Sequence, residues 1–315
     1  MKFNKMLLIG IDEPKLGPKY WKRIDALAEK RIYLPKESLE IKKQLADTDC
    51  LLVNFGVKVG KEEIDSAPRL KYIGALATAY GKIDVEYAKS KGIVVCNVPG
   101  YSTEAVAEFV FAIILEHIRE LEKGKKQARE GNYSEAGFAA TEIKDKKFGI
   151  IGLGRIGARV AEIALGFGAD VSYWSRNRKR ELELKGLKYE AADAMIPKCD
   201  ILSLHLAQTK ETEKFLNEKT IQKIKNGTIV INTAPMELVD IDALEKRLIR
   251  GDMTFILDHS DEMSADDLKR LSKFKNCIIY PPIAYITKEA TIAKQEIFVG
   301  NIGAFASGRP QNTVV

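Results

Sequence analysis

The residues best placed to do chemistry begin at Gly152-Leu153-Gly154-Arg155-Ile156-Gly157, a Gly-x-Gly-x-x-Gly spacing. Alone, that spacing is a weak signal, because glycine is common. Here it directly follows the apolar run Phe148–Ile151 and opens a helical stretch through Arg159 to Gly166, the setting in which the motif holds a dinucleotide pyrophosphate. Gly152 permits a tight turn, Gly154 lets backbone approach the phosphates, and Gly157 lets the helix lie close to the strand. Arg155 and Ile156 fill the first helical turn, whose free N–H groups and partial positive charge attract an anion.

The following strand selects the dinucleotide. An acid at its end accepts hydrogen bonds from the adenosine ribose and repels a 2′-phosphate. The strand Val171–Trp174 runs instead into Ser175-Arg176-Asn177-Arg178-Lys179-Arg180, with Ser175 at the acid's position. Arg176 and Arg178 present planar donor forks that suit phosphate oxygens. NADP(H) is therefore the expected cofactor and NAD(H) the second choice; a solvated basic loop is the bland reading of these arginines.

The elements that must position these residues follow a strand-then-helix rhythm. In the first hundred residues strands are predicted at Met6–Ile11, Asp49–Val53, Leu70–Ala75 and Ile93–Cys96, with helices near Tyr20–Ala28, Lys61–Ser66 and Asp84–Ser90. A bend at Asn97-Val98-Pro99-Gly100 precedes a long apolar helix from about Thr103 to Glu120 and a polar stretch through Glu142. A second α/β unit starts at Lys147, with five further strands at Asp170–Trp174, Ile201–Leu204, Thr228–Asn232, Thr254–Asp258 and Cys277–Tyr280, six in all. A helix from Thr287 to Ala306 then returns to the first lobe.

This is an α/β protein of two Rossmann-like lobes. Residues 1–97 with 289–315 form a smaller flavodoxin-like substrate domain, and residues 98–288 a doubly wound, parallel-sheet dinucleotide-binding domain. The chain has 315 residues, 45% hydrophobic and 30% charged, the balance of a folded globular protein. Its apolar stretches stop near ten residues, short of a bilayer span, and its first strand is too short for a signal segment, so a cytoplasmic protein without membrane contact is expected. The net charge of +6 is spread among 44 acids, which argues against nucleic acid. Cys50, Cys96, Cys199 and Cys277 lie far apart and read as reduced core thiols rather than as metal ligands.

Specific phrases resemble the D-2-hydroxyacid dehydrogenase family, particularly its glyoxylate and hydroxypyruvate reductase branch. They are Leu70-Lys-Tyr-Ile-Gly-Ala-Leu-Ala-Thr78, Gly92 through Glu108, the glycine loop, and Thr287-Lys-Glu-Ala290. The resemblance implies a homodimer joined through the cofactor lobes and a small-molecule 2-keto acid substrate. It implies that Thr103, His205, Thr233, Ala234 and Asp258 flank the cofactor, with Asp258 holding the nicotinamide carboxamide. Asn54, Ala77, Thr78, Ala79, Tyr80 and Tyr285 line the expected substrate space, with Tyr280 nearby.

In such enzymes an Arg grips the substrate carboxylate, a His donates the proton and a Glu orients that His. All three positions are substituted here. Pro235 stands at the Arg position in Asn232-Thr233-Ala234-Pro235-Met236, Met263 at the Glu position, and Pro282 at the His position in Tyr280-Pro281-Pro282. Losing the general acid alone typically costs about 10²–10⁴-fold. Ordinary keto-acid reduction should therefore be nearly silent, while the nucleotide motifs remain.

Replacement groups can be enumerated, since the chain has three histidines. His117 reads as a surface or dimer contact and His205 as a structural residue near the cofactor. His259 follows Asp258 at the ligand end of a strand, although strand alternation would turn it away from Asp258. Glu262 lies one residue from the lost Glu. The degenerate site admits three functions: an NADP(H) oxidoreductase acting on a small carbonyl, imine or enone; a catalytically silent NADP-binding sensor or partner; or a retained glyoxylate or hydroxypyruvate reductase with relocated acid and base.

Overall fold

The computed structural model describes residues 2–314. Two compact units emerge, Met1–Ser102 with Thr287–Val315, and Thr103–Ile286. Their boundaries fall a few residues from the expected 97/98 and 288/289, for local reasons. Val98 belongs to the first unit's core, and Thr287 caps the final helix by accepting a hydrogen bond from Ala290 N.

The first unit holds a five-stranded parallel sheet in the order β2-β1-β3-β4-β5. The strands are β1 (Phe3–Ile9), β2 (Ala28–Leu34), β3 (Cys50–Val53), β4 (Tyr72–Ala75) and β5 (Val94–Cys96). Every residue of β3 and β4 is buried, as expected for parallel strands covered on both faces. Four of these strands were predicted; β2 was not. It is an edge strand, Ala-Glu-Lys-Arg-Ile-Tyr-Leu, in which only Ala28 is buried, and its charges hide the strand pattern while protecting the edge. The helix Lys288–Ala306 completes this core, packing Phe298, Val299 and Ile302 with Phe3, Leu8 and Tyr72.

The second unit holds seven parallel strands in the order β12-β11-β10-β9-β6-β7-β8. They are β6 (Lys147–Ile151), β7 (Asp170–Trp174), β8 (Lys188–Tyr189), β9 (Ile201–Leu204), β10 (Ile229–Asn232), β11 (Thr254–Leu257) and β12 (Cys277–Ile279). The expected six strands gain β8, a two-residue edge too short to give a sequence pattern. Alternate residues feed separate cores on the two faces: Val230 and Phe255 on one, Ile231 and Ile256 on the other. The segment read as a polar connection contains a helix, Leu121–Arg129, none of whose residues is buried.

Strand order reverses at β6, which has β7 on one side and β9 on the other. In open parallel sheets that reversal parts the loops at the strands' C-terminal ends and leaves a crevice for a ligand. The glycine loop leaves β6 at this point.

Candidate dinucleotide site and catalytic edge

The glycine loop is shaped by what a side chain would strike. Gly152 has φ +95°, donates its N–H to Trp174 O at 2.8 Å, and a Cβ there would lie 2.7 Å from His205 O. A Cβ on Gly157 would sit 2.0 Å from Gly152 O, far inside van der Waals contact. Gly154 caps the helix Arg155–Gly166 and faces open space. The first helical turn, with Arg155 and Ile156, thus presents unobstructed N–H groups to an anion. His205 forms the wall behind the loop. Burial drives its pKa down to about 3, and its ring lies 2.8 Å from Ser203 Oγ, so it is a neutral packing group.

At the end of β7, Ser175 Oγ donates to Asn177 O at 2.5 Å and shapes the turn that carries the two arginines. Their surroundings differ. Arg178 makes two hydrogen bonds of 2.7 Å to Glu183, which also accepts from Tyr173 Oη at 2.8 Å, and its guanidinium lies over the Tyr189 ring. The Arg178 bonds hold the Glu183 carboxyl at about 2. Arg176 makes one bond, of 2.6 Å, to Glu211 Oε2, and both side chains are largely exposed. Because β6 lies between β7 and β9, this Arg176–Glu211 pair joins loops from the strands on either side of the glycine loop. Neither Glu183 nor Glu211 was singled out from the sequence, since nothing in spacing links Glu211 to a residue 35 positions earlier.

The ends of β10 and β11 form the second half of the site. Asn232 pairs in register with Leu257, so Thr233 and Asp258 leave the sheet side by side. Ala234 N donates to Asn232 Oδ1 at 3.1 Å and Ala284 N to Asp258 Oδ2 at 3.1 Å. Thr233 Oγ1 and Asp258 Oδ1 are buried and, among the described residues, have no hydrogen-bond partner. A buried polar atom left unpaired costs roughly 1–3 kcal/mol. An acceptor and a hydroxyl waiting together at the ligand end of the sheet fit a carboxamide. Together with the glycine cradle they satisfy a nicotinamide dinucleotide, which would supply a transferable hydride there. Burial raises the Asp258 carboxyl above its usual range, against the opposing influence of His259 and the Ala284 N–H.

Pro235, Met263 and Pro282 bring no ionisable group. Pro235 starts the short turn Met236–Leu238, Met263 packs against the core beneath β10 and β11, and Pro282 is half-buried. His259 and Glu262 are brought together instead. The side-chain alternation expected to turn His259 away does not operate, because β11 ends at Leu257 and His259 has left extended geometry, with φ −90° and ψ 46°. His259 Nδ1 lies 3.3 Å from Glu262 Oε2, and its Nε2 4.0 Å from Asp258 Oδ1.

In the first unit, Asn54, Ala79 and Tyr80 line one hollow with Phe55, Gly56 and Lys82. Ala77 is buried, and Thr78 Oγ1 donates to Val98 O at 2.8 Å. Lys36, absent from the sequence reading, ties the Asn54 loop by donating to Phe55 O at 2.6 Å. Tyr285 belongs to the second unit and is exposed. Tyr280 is committed elsewhere, donating to Glu116 Oε2 at 2.5 Å and packing edge-on to Phe109. Thr103 opens the helix Thr103–Ile118, on which His117 is half-buried. Among the described residues no cluster suited to a metal ion occurs, and no helix is long and apolar enough to cross a membrane.

This geometry defines a parallel α/β protein with a glycine cradle and two unpaired polar atoms at one sheet's C-terminal edge. A family model described as D-isomer specific 2-hydroxyacid dehydrogenase, NAD binding domain, matches residues 111–284. The chain is 36% identical over 281 residues to a glyoxylate reductase of Thermococcus litoralis, covering 86% of this chain and 85% of that one. Its structure is similar to D-lactate dehydrogenase of Aquifex aeolicus complexed with NAD and lactic acid, with TM-score 0.85, 31% identity and 96% coverage of both chains. It is equally similar to an acyclic imino acid reductase, Bsp5, in complex with NADPH and D-Arg, with TM-score 0.85, 30% identity, and coverage of 98% of this chain and 100% of that one. The chain belongs to the D-isomer-specific 2-hydroxyacid dehydrogenase family.

Proposed function

We propose that this protein is an NADP(H)-dependent reductase whose substrate carries an already polarised double bond, a 2-imino acid before any ordinary 2-keto acid or enone. One observation carries the reading: Thr233 and Asp258 wait unpaired for a carboxamide while prolines stand at positions 235 and 282. The hydride donor is thus provided for, and a cation to polarise a ketone oxygen is not. A ketone needs a cation at its oxygen and a proton for the alkoxide. A carbon–nitrogen double bond, once protonated, carries that polarisation itself. It is better served by carboxylates, and the end of β11 offers Asp258, Asp261 and Glu262.

NADP(H) is favoured over NAD(H) because Ser175 replaces the acid that would repel a 2′-phosphate and Arg176 stands free of any bidentate partner. The relative bound to NADPH supports both halves of this reading. The family resemblance further supports a homodimer joined through the cofactor units, which sedimentation would test, and four buried free thiols suit a reducing compartment such as the cytoplasm.

The deciding experiment follows NADPH oxidation with glyoxylate or pyruvate alone, with each acid plus a primary amine, and with simple enones. Amine-dependent turnover is the expected result. Rapid reduction of the keto acids without amine would instead establish the second reading, retained glyoxylate or hydroxypyruvate reduction with relocated groups, which the His259–Glu262 contact favours. Tight NADPH binding without turnover on any of these would mark a silent sensor.

A further inference from the structure

We infer that His259 and Glu262 form a relocated proton-delivering pair, in which the His259 imidazole protonates the substrate nitrogen and Glu262 fixes the ring. The inference rests on the imine-reductase reading above.

The local fold sets up the pair. β11 ends at Leu257, and the next residues close a short 3-10 turn, Ser260–Glu262, with His259 as its N-cap. Residues three apart on such a turn face one another. Glu262 engages Nδ1 at 3.3 Å, which leaves Nε2 as the free ring nitrogen. That nitrogen lies 4.0 Å from the unpaired Asp258 Oδ1, the atom that fits the carboxamide. An imidazole N–H is thereby held beside the place where the reactive ring would be. The two side chains are 26% and 25% exposed, covered enough to be oriented and open enough to regain a proton from water.

The charges agree with the assignment. The groups around the ring are Asp258, Asp261 and Glu262, and among the described residues no lysine or arginine forms an ion pair with any of them. Burial opposes the protonated ring, but the Glu262 hydrogen bond and these three carboxylates outweigh it and raise the imidazole above its ordinary range. His205, by contrast, is neutral and buried against Ser203, and His117 is lowered by burial.

The step balances. The imine nitrogen takes the proton from His259 Nε2, which makes the imine carbon the acceptor for the hydride that a bound nicotinamide would supply, and the carbon–nitrogen π pair then rests on nitrogen as the amine lone pair. The product is a secondary or primary amine, and the neutral imidazole is reprotonated by water. Glu262 is a positioning residue, since it acts on the ring and not on the substrate.

Three histidines make the test direct. The His259 ring is titrated by NMR in the unsubstituted protein and in Glu262→Gln, and kcat/KM for amine-dependent NADPH oxidation is measured across pH in both and in His259→Asn. Calorimetric NADPH affinity checks that the cofactor site is intact. The expected result is a lower His259 titration midpoint in Glu262→Gln, with the alkaline limb of the rate profile moving down by the same amount. His259→Asn should lose about a hundred-fold in rate and the limb itself, with NADPH affinity within about two-fold. An active unsubstituted protein whose rate and alkaline limb survive in His259→Asn overturns the pair and leaves the imine reading standing. An unsubstituted protein that reduces no imine overturns that reading, and the proton role with it.

Discussion

The C-terminal edge of the second sheet has two halves that depend on different physical means. At β6 and β7 the site is made of backbone: positive φ at Gly152, a Cβ-free contact of Gly157 with Gly152 O, and a helix end. At β10 to β12 it is made of side chains: Thr233, Asp258, and whatever stands at 235, 263 and 282. A backbone cradle tolerates almost no substitution without losing the ligand. A set of side chains can be exchanged and the reaction changed while the cofactor stays. On the proposed function, holding a dinucleotide and choosing its chemistry are separable tasks in this fold.

The contrast can be broken most severely at Gly157. Gly157→Ala forces a methyl into the Gly152 carbonyl, an overpacking with no flexible side chain to yield. NADPH binding should vanish in calorimetry, with a fall of several degrees in Tm. A variant that binds normally would show that the loop is not the phosphate cradle. Next in size is the opposite half. Replacing Pro235→Arg, Met263→Glu and Pro282→His together should raise glyoxylate reduction by roughly 10²–10⁴-fold over the unsubstituted chain. Equal rates before and after would mean that the catalytic edge never lost its function.

Smaller effects sharpen the cofactor half. Arg176→Ala should weaken NADPH by roughly ten- to a hundred-fold, the value of a charge-assisted phosphate contact, and leave NADH within about two-fold. Arg178→Ala should lower Tm without changing the NADPH-to-NADH ratio, because Arg178 is held by Glu183 and Tyr189. Glu211→Gln should tighten NADPH by about two- to five-fold at low salt, since an exposed ion pair is worth little and its partner is freed. Fluorescence titration of both coenzymes in each variant decides these points together.

The smallest effect concerns pH. Burial disfavours charged His259, but its carboxylate neighbours raise the folded-state pKa above the unfolded one. The stability it contributes is therefore present in full below the ordinary histidine range, near 6.5, and is lost as pH rises through the folded value. Glu262→Gln should flatten that decline in thermal melts.

What the sequence disclosed follows the same division. The glycine loop, its strand and its helix are local, so Gly152 to Gly157 could be read with their context. Asp258 was singled out through the family resemblance, since its strand position alone does not give it a role. The edge strands β2 and β8 were hidden, one by its charges and the other by its length. The contacts of His259 with Glu262 and of Arg176 with Glu211 depend on where a chain leaves its strand and on sheet order, neither of which periodicity records. Strand alternation pointed His259 the wrong way because the strand had already ended.

The tail carries a consequence of another kind. Phe305 stacks on Phe3 at 5.8 Å and tilts against Tyr72 at 4.9 Å, Asn301 Nδ2 donates to Asn97 O, and Thr313 bridges Cys96. The first hundred residues therefore lack part of their interior until residues 298–306 have been made. On the ribosome the later-synthesised middle has all its strands before the first hundred residues have theirs sealed, so maturation runs out of order, and a chain cut before Phe298 would carry an open apolar seam that invites degradation or clumping.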